Sequence, residues 1–304
     1  MAGARIFVTG ATGLVGGLLC ERLAADGAEV VALSRRAGAR VGAARLVVGD
    51  VTQPGAWQDE IDGAAAVVHL AGESIAASRW TSRVKQAIRA SRIEGTRNVA
   101  RAITRAAVRP GVLVCASAAG LYGPRGEERL DESSPPGDGF LARLCVDWER
   151  EARGAESPAT RVVSLRFGMV LSRRGGALSR MLPVFRAGAG GPIGPAHRYT
   201  PWIHERDAAG LACFAVQDAG RALSGPLNAV APECVRMGDF ARTLGSVLGR
   251  PALIPVPEIA LRVLLGEAAD AVVPGQHVVP RAARDAGYGF VHPELRGALE
   301  DLLA

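Results

Sequence analysis

Gly10, Gly13 and Gly16 recur at three-residue intervals in Gly10-Ala11-Thr12-Gly13-Leu14-Val15-Gly16, and the spacing suits one kind of chemistry. Glycine permits a tight turn and lets a ligand approach the backbone. A helix starting at such a turn aims its first N–H groups at an anion, here a pyrophosphate. The apolar run Arg5–Thr9 leads into the loop and the helical pattern Val15–Ala25 leaves it, so the triplet lies where a strand becomes a helix. Thr12, Leu14 and Val15 belong to the same turn and join the glycines as candidate binding residues.

The end of the next apolar run, Glu29–Leu33, separates two dinucleotides. An NAD site places an acidic residue there to accept from the ribose hydroxyls. This chain has Ser34-Arg35-Arg36 instead, and a guanidinium pairs well with a 2′-phosphate, so the pattern points to NADP(H). Arginine on a solvated face is the plain alternative. Asp50-Val51 is placed to meet the adenine, and Leu70-Ala71-Gly72 brings backbone beside the inner ribose and phosphates.

The elements that must position these residues alternate between two kinds. Strands are expected at Arg5–Thr9, Glu29–Leu33, Arg45–Val48, Ala65–Leu70, Gly111–Ser117 and Arg161–Phe167. Helical segments fall at Val15–Ala25, Pro54–Ile61, Arg79–Arg105 and Leu141–Ala152. Continuous apolar strands between amphipathic helices imply an α/β fold, a doubly wound parallel (Rossmann) sheet. After Phe167 the rhythm changes, with a glycine-rich stretch around a helical Leu178–Arg186, an extended Tyr199–His204 expected at the sheet edge, an extended Gly225–Ala231 and a helical Met237–Leu248. The expected division is 1–167 as the NADP-binding domain, with 199–231 returning to it. A smaller C-terminal substrate lobe takes 168–198 and 232–304.

Several motifs then resemble a known class. Ala116-Ser117-Ala118-Ala119-Gly120-Leu121-Tyr122-Gly123, with the features above, is similar to the extended short-chain dehydrogenase/reductases. His69-Leu70-Ala71-Gly72-Glu73, Ser91-Arg92-Ile93-Glu94-Gly95-Thr96, Leu165-Arg166-Phe167-Gly168 and Trp202-Ile203-His204 resemble an atypical, uncharacterised epimerase-family branch. The tail, with Pro255-Val256-Pro257 and Leu265-Gly266-Glu267, resembles that branch's C-terminal segment of unknown function.

Ordinary members of the class use Tyr-x-x-x-Lys on the helix after the fifth strand. Registering Trp148-Glu149 on the end of that motif puts Leu141 at the tyrosine position and Cys145 at the lysine position, so the dyad is absent. The helper serine has two counts. Forward from the strand it is Ser117, which is taken here; backward from Tyr122-Gly123 it is Ala118. Ser117, Glu73 and Tyr122 are therefore the candidate catalytic residues, Glu73 as base or substrate ligand and Tyr122 as acid. The resemblance also implies cofactor contacts from Cys145, Phe167 and Gly168. Arg166, Trp202 and His204 are candidates for the substrate. For each, a structural role is the plain alternative: a helix-end charge partner for Glu73, a packed phenol for Tyr122, an inert thiol for Cys145.

Composition bounds the rest. No apolar run in the 304 residues approaches the roughly 18 needed to span a bilayer. The opening Arg5–Thr9 strand leaves no secretory leader, so a cytoplasmic address is expected. Five scattered cysteines and five scattered histidines offer no ligand spacing, and no metal is expected. The net charge of +6 is carried almost wholly by arginine, Lys85 being the one lysine, without a basic run bearing aromatics; no nucleic-acid partner is expected. Two function classes follow: an oxidoreductase or epimerase on an unknown carbonyl or secondary alcohol, or a catalytically silent NADP(H) redox sensor. A small-molecule substrate and a homodimer through the helices after the fourth and fifth strands are what the resemblance implies.

Overall fold

Alternation along the first strand decides which layer each side chain enters. The computed structural model describes residues 1–75, 79–217, 223–271 and 275–304. Its first strand, β1 (Arg5–Thr9), turns Ile6 and Val8 into one apolar layer and Phe7 into the other. The remaining strands of the sheet are β2 (Glu29–Ser34), β3 (Arg45–Val48), β4 (Ala66–His69), β5 (Val112–Ala118), β6 (Arg161–Phe167) and β7 (Gly225–Ala229). They pair in the order β7-β6-β5-β4-β1-β2-β3, every pair parallel. The order reverses between β1 and β4, which opens a crevice at their C-terminal ends. The doubly wound α/β fold expected from the sequence is the fold observed.

The helices that bear on the crevice are α1 (Leu14–Ala25), α2 (Ser82–Arg105), α3 (Phe140–Arg153), α4 (Gly176–Arg186), α5 (Glu205–Gln217) and α6 (Met237–Leu248). A parallel sheet needs both faces covered. Leu19 and Leu23 of α1 with Leu211 and Ala212 of α5 cover the Ile6–Val8 face. Ile88, Val99 and Ile103 of α2 with Leu144 and Trp148 of α3 cover the Phe7 face. The second helix starts at Ser82, three residues later than the pattern suggests, because the Thr81 side chain accepts the Val84 N–H at 3.2 Å and caps it.

A third apolar cluster lies off the sheet. Met181, Leu182 and Phe185 of α4, Phe240 and Leu244 of α6, and Leu299 and Leu302 of the C-terminal helix Leu295–Leu303 surround the buried Trp202. Burying one such side chain contributes about 1.5–3 kcal/mol. The Tyr199–His204 stretch does not join the edge of the large sheet. Tyr199–Thr200 pairs antiparallel with Val235–Arg236, and Trp202–His204 pairs parallel with Met169–Leu171. Proline at 201, which has no N–H to donate, separates the two short pairings. The edge position goes to β7, and α5 returns to cover the sheet.

Candidate functional site

The crevice holds two cavities that share Gly72 and Glu73. The first, of about 360 Å³, is lined by the glycine loop and the ends of β1, β2 and β4. Gly10 has φ +70, and a Cβ there would lie 2.6 Å from the Leu70 carbonyl carbon. At Gly16 a Cβ would come within 2.2 Å of the Gly10 oxygen, so only glycine lets the loop close over the start of α1. That helix has no side-chain cap and no acidic residue in its first turn, which leaves its N-terminal N–H groups directed at the cavity's anion position.

Thr12, Gly13, Ser34, Arg35, Arg36, Asp50, Val51, Leu70 and Ala71 all line this first cavity. Arg35 reaches across it to Glu73, Nη1 to Oε1 2.9 Å, with both side chains substantially exposed. Asp50 spends one carboxylate oxygen on the Thr52 N–H and hydroxyl, at 2.9 and 2.8 Å. Below the loop, Thr9 Oγ1 and His69 Nδ1 lie 2.6 Å apart and tie β1 to β4.

The second cavity, of about 480 Å³, continues from Gly72 and Glu73 towards the off-sheet cluster. Leu14, Phe167 and Gly168 line it, as do Ala118 and Leu141. Val15, Gly16 and Cys145 line neither cavity: Val15 packs in the core and Gly16 shapes the loop. Cys145 is buried, and burial pushes its thiol up to about 12, so it is not a poised nucleophile.

The proposed chemical groups are distributed differently from the sequence expectation. Ser117 turns away from the cleft and donates to Glu149 Oε1 at 2.7 Å. Ser117 and Arg166 are register partners on neighbouring strands, so they face the same way, towards Glu149 of α3. Arg166 binds both Glu149 oxygens, at 2.8 and 2.9 Å, with both side chains buried. Burial opposes the Arg166 charge, but the bonds and charge of Glu149 prevail and hold its pKa above the ordinary value. Tyr122, fully buried, donates to Asn228 Oδ1 at 2.7 Å and accepts from Arg166 at 2.8 Å. Burial raises its phenol to about 12, the wrong direction for an acid working near neutrality. Ser117, Tyr122 and Arg166 thus form one buried network beneath the cleft, and Ala118 takes the cleft-facing place. Of the three catalytic candidates, Glu73 alone lines a cavity.

Trp202 and His204 also lie elsewhere. Trp202 donates from Nε1 to the Glu233 carbonyl at 3.0 Å inside the third cluster. His204 is fully buried against His292, ring centroids 3.9 Å apart, with Asp301 Oδ2 at 3.3 Å from its Nε2. Ligand-type atoms of these three residues fall within 4.8 Å of one another, a grouping that residues 204, 292 and 301 do not announce in sequence. The Arg206 N–H donates to His204 Nδ1 at 3.1 Å, which leaves the proton of the neutral ring on Nε2 and no lone pair there for a cation.

Buried neutral histidines predict acid lability. Burial, aided by Arg92, pushes the His69 imidazole down to about 4, from an ordinary 6.5. The unfolded chain therefore binds the proton first. The stability His69 lends is complete above pH 6.5 and is lost as pH falls through about 4. The loss from this one group reaches about 3 kcal/mol at pH 4. His204, lowered to about 4 chiefly by burial and then by His292, acts in the same direction. The melting temperature should fall between pH 6.5 and 4, less steeply in His69→Gln; an equal slope in that variant would show that His69 does not carry the effect.

Two further residues of the cavities are Arg92 and Tyr199. Arg92 of α2 lies against Gly72, where a Cβ would meet its guanidinium carbon at 3.3 Å. It donates to the Glu73 and Ile88 carbonyls at 3.0 and 3.3 Å and lies 5.0 Å over the Trp148 ring. Burial lowers its pKa, with Cys145 and Glu73 among the groups acting against that. Arg92 thus brings a positive charge to the neighbourhood of Cys145, the position where the class carries lysine. Tyr199 lines the second cavity, stacked on His277 at 4.1 Å with Arg236 4.6 Å over its ring. A search for Tyr-x-x-x-Lys passes over it, because its polar neighbours come from distant segments.

Comparison with known proteins gives one consistent set of likenesses. The model of the NAD dependent epimerase/dehydratase family matches residues 6–227, and a domain of unknown function, DUF1731, matches residues 256–302. The epimerase family protein SDR39U1 of Bos taurus is 40% identical over 305 residues, covering 99% of this chain and 100% of the bovine one. A chloroplastic homologue of that protein from Arabidopsis thaliana is 39% identical, covering 98% of this chain and 86% of its own. A crystal structure of human SDR39U1 (isoform 2) with NADPH superposes with a TM-score of 0.89 at 36% identity, covering 98% of each chain.

Proposed function

Since the chain belongs to the NAD dependent epimerase/dehydratase family, among the extended short-chain dehydrogenase/reductases, we propose that it is an NADP-dependent oxidoreductase or epimerase acting on a carbonyl or secondary alcohol. The observation that carries this is the pair of cavities joined at Gly72 and Glu73, one built for a dinucleotide and the other open to a second molecule. The human relative's NADPH complex supports the choice of cofactor, as does Ser34-Arg35-Arg36.

The residues fit NADP(H). The loop at Gly10, Gly13 and Gly16 leaves the room a pyrophosphate needs, and the uncapped start of α1 favours its charge. Arg35 and Arg36 hold the 2′-phosphate, and Val51 and Asp50 flank the adenine. Bound there, the nicotinamide supplies or accepts a hydride. Arg92 holds positive charge beside the inner ribose, and Leu141 and Phe167 exclude water from the reacting end. Glu73 orients substrate or moves its proton once Arg35 turns to phosphate. The segments 168–198 and 232–304 form the substrate lobe. No helix among the described residues is long and apolar enough to cross a membrane. We assign the protein to the cytoplasm, whose reducing conditions suit its five unpaired cysteines. We also assign it a homodimer through α2 and α3.

One observation favours a second reading, a redox sensor without turnover: Ser117 and Tyr122 are locked in the buried network, while Leu141 and Cys145 replace the dyad. Thermal shift of cofactor-stripped protein with NADPH, NADP and NADH tests both. Stabilisation by both NADP forms, about 3–4 kcal/mol at 100–1,000 times Kd, with little from NADH, is expected of the enzyme. Stabilisation by one redox form alone favours the sensor, and none by any form removes the proposal. Glu73→Gln should tighten NADPH severalfold by freeing Arg35 while turnover drops; weaker NADPH binding would show that Glu73 is needed to place Arg35.

A further inference from the structure

Resting on that cofactor reading, we infer that the second cavity takes an uncharged, largely apolar carbonyl compound or its secondary alcohol, and not a nucleoside-diphosphate sugar. Its walls carry the case. Met169, Met181 and Met237 line it, three of the four methionines in the chain, with Leu141, Phe167 and Ile193. They come from separate elements: Met181 from α4, Met237 from the start of α6, Met169 from the short strand after β6. Methionine is unbranched and polarisable, and a wall of it adapts to apolar ligands of differing outline.

The charges near the cavity do not suit a diphosphate. Among the described lining residues four are charged, and each already has a partner within the chain. Glu73 pairs with Arg35 at 2.9 Å until the cofactor's 2′-phosphate takes Arg35 and leaves a bare carboxylate, and Arg198 pairs with Glu258 at 3.2 Å. Asp270 pairs with Arg262 at 3.2 Å, and Arg92 is bonded to carbonyls and laid over Trp148. Two of the four are carboxylates, which repel phosphate. Lys85 is taken up by Glu267 at 2.7 Å and does not line the cavity. A ligand bringing two negative charges into these walls would lose their hydration and gain no fresh cation in return. A neutral carbonyl compound pays no such cost, and the polar ends it needs are at hand in Tyr199 and Gln276.

Size agrees with charge. Pockets for one drug-sized ligand run roughly 300–1,000 Å³. The second cavity is about 480 Å³ and also has to receive the nicotinamide end of the cofactor. What remains suits a ring or short chain rather than a sugar with its nucleotide.

The test is calorimetry and thermal shift on the full chain saturated with NADP, against acetophenone, 2-octanone and their secondary alcohols in one set and UDP-glucose and UDP-glucuronate in the other. The apolar set should bind at least 10-fold more tightly, with the negative heat-capacity change that marks apolar burial. Tighter binding of either nucleotide sugar overturns the inference and leaves the cofactor reading standing. Binding of neither set to protein that NADP does stabilise overturns it too. If NADP itself fails to bind, the cofactor reading falls first and the inference falls with it.

Discussion

Glu149→Ala is expected to lower stability by about 3–5 kcal/mol, because it strands the Arg166 guanidinium in the interior. The two side chains are 5% and 8% exposed, so water cannot replace the lost carboxylate. The same substitution removes the acceptor of Ser117, and it shifts the burden of Arg166 onto Tyr122 and the Glu132 carbonyl. Denaturant unfolding of the variant measures the loss. Replacing both partners, Glu149→Leu with Arg166→Met, should recover most of it, since an apolar pair of similar volume carries no stranded charge. Ser117→Ala should cost only about 1 kcal/mol and leave NADPH-dependent turnover near wild type. Loss of turnover in Ser117→Ala with stability intact would return Ser117 to the chemistry and sink the structural assignment.

That network also shows where sequence ran out. The Rossmann half was legible because its signals are local. Ile6, Phe7 and Val8 declare a strand buried on both sides, and three glycines within one turn declare the anion loop at its end. Ser34, Arg35, Arg36, Asp50 and Val51, expected around the ribose phosphate and adenine, line the first cavity for the same reason. The network joins Ser117 to Glu149, Arg166 to Glu149 and Tyr122 to Asn228 across 32, 17 and 106 residues, and no local pattern encodes such contacts. Strand parity did the rest. A one-residue step along β5 exchanges the cleft face for the buried face, so counting to Ser117 or to Ala118 decides between a catalytic hydroxyl and an inert methyl. His204 was misplaced for a related reason: His292 and Asp301, which enclose it, arrive from the far end of the chain.

Arg92→Met is expected to weaken NADPH about 30-fold, from roughly 2 kcal/mol for a charge-assisted contact, with Arg92→Lys recovering part of it. Ordinary members of the class carry a lysine on the helix after the fifth strand. Here that helix offers Cys145, and a cation comes instead from α2, against Gly72 and over Trp148. The guanidinium lies near enough to Cys145 for its charge to favour the thiolate, although burial still leaves the thiol at about 12. A lysine at position 145 would set two cations together in a buried place, a costly arrangement. Restoring the usual pair by Leu141→Tyr and Cys145→Lys should therefore destabilise the protein, and should do so less in an Arg92→Met background. A double-mutant cycle on melting temperature reads that coupling directly. Arg92 also props the loop through the Glu73 carbonyl, so the cofactor-free melting temperature must be measured alongside. If Arg92→Met lowers that temperature yet keeps the full NADPH-induced shift, Arg92 is a strut, and the charge the class draws from lysine has no substitute in this fold.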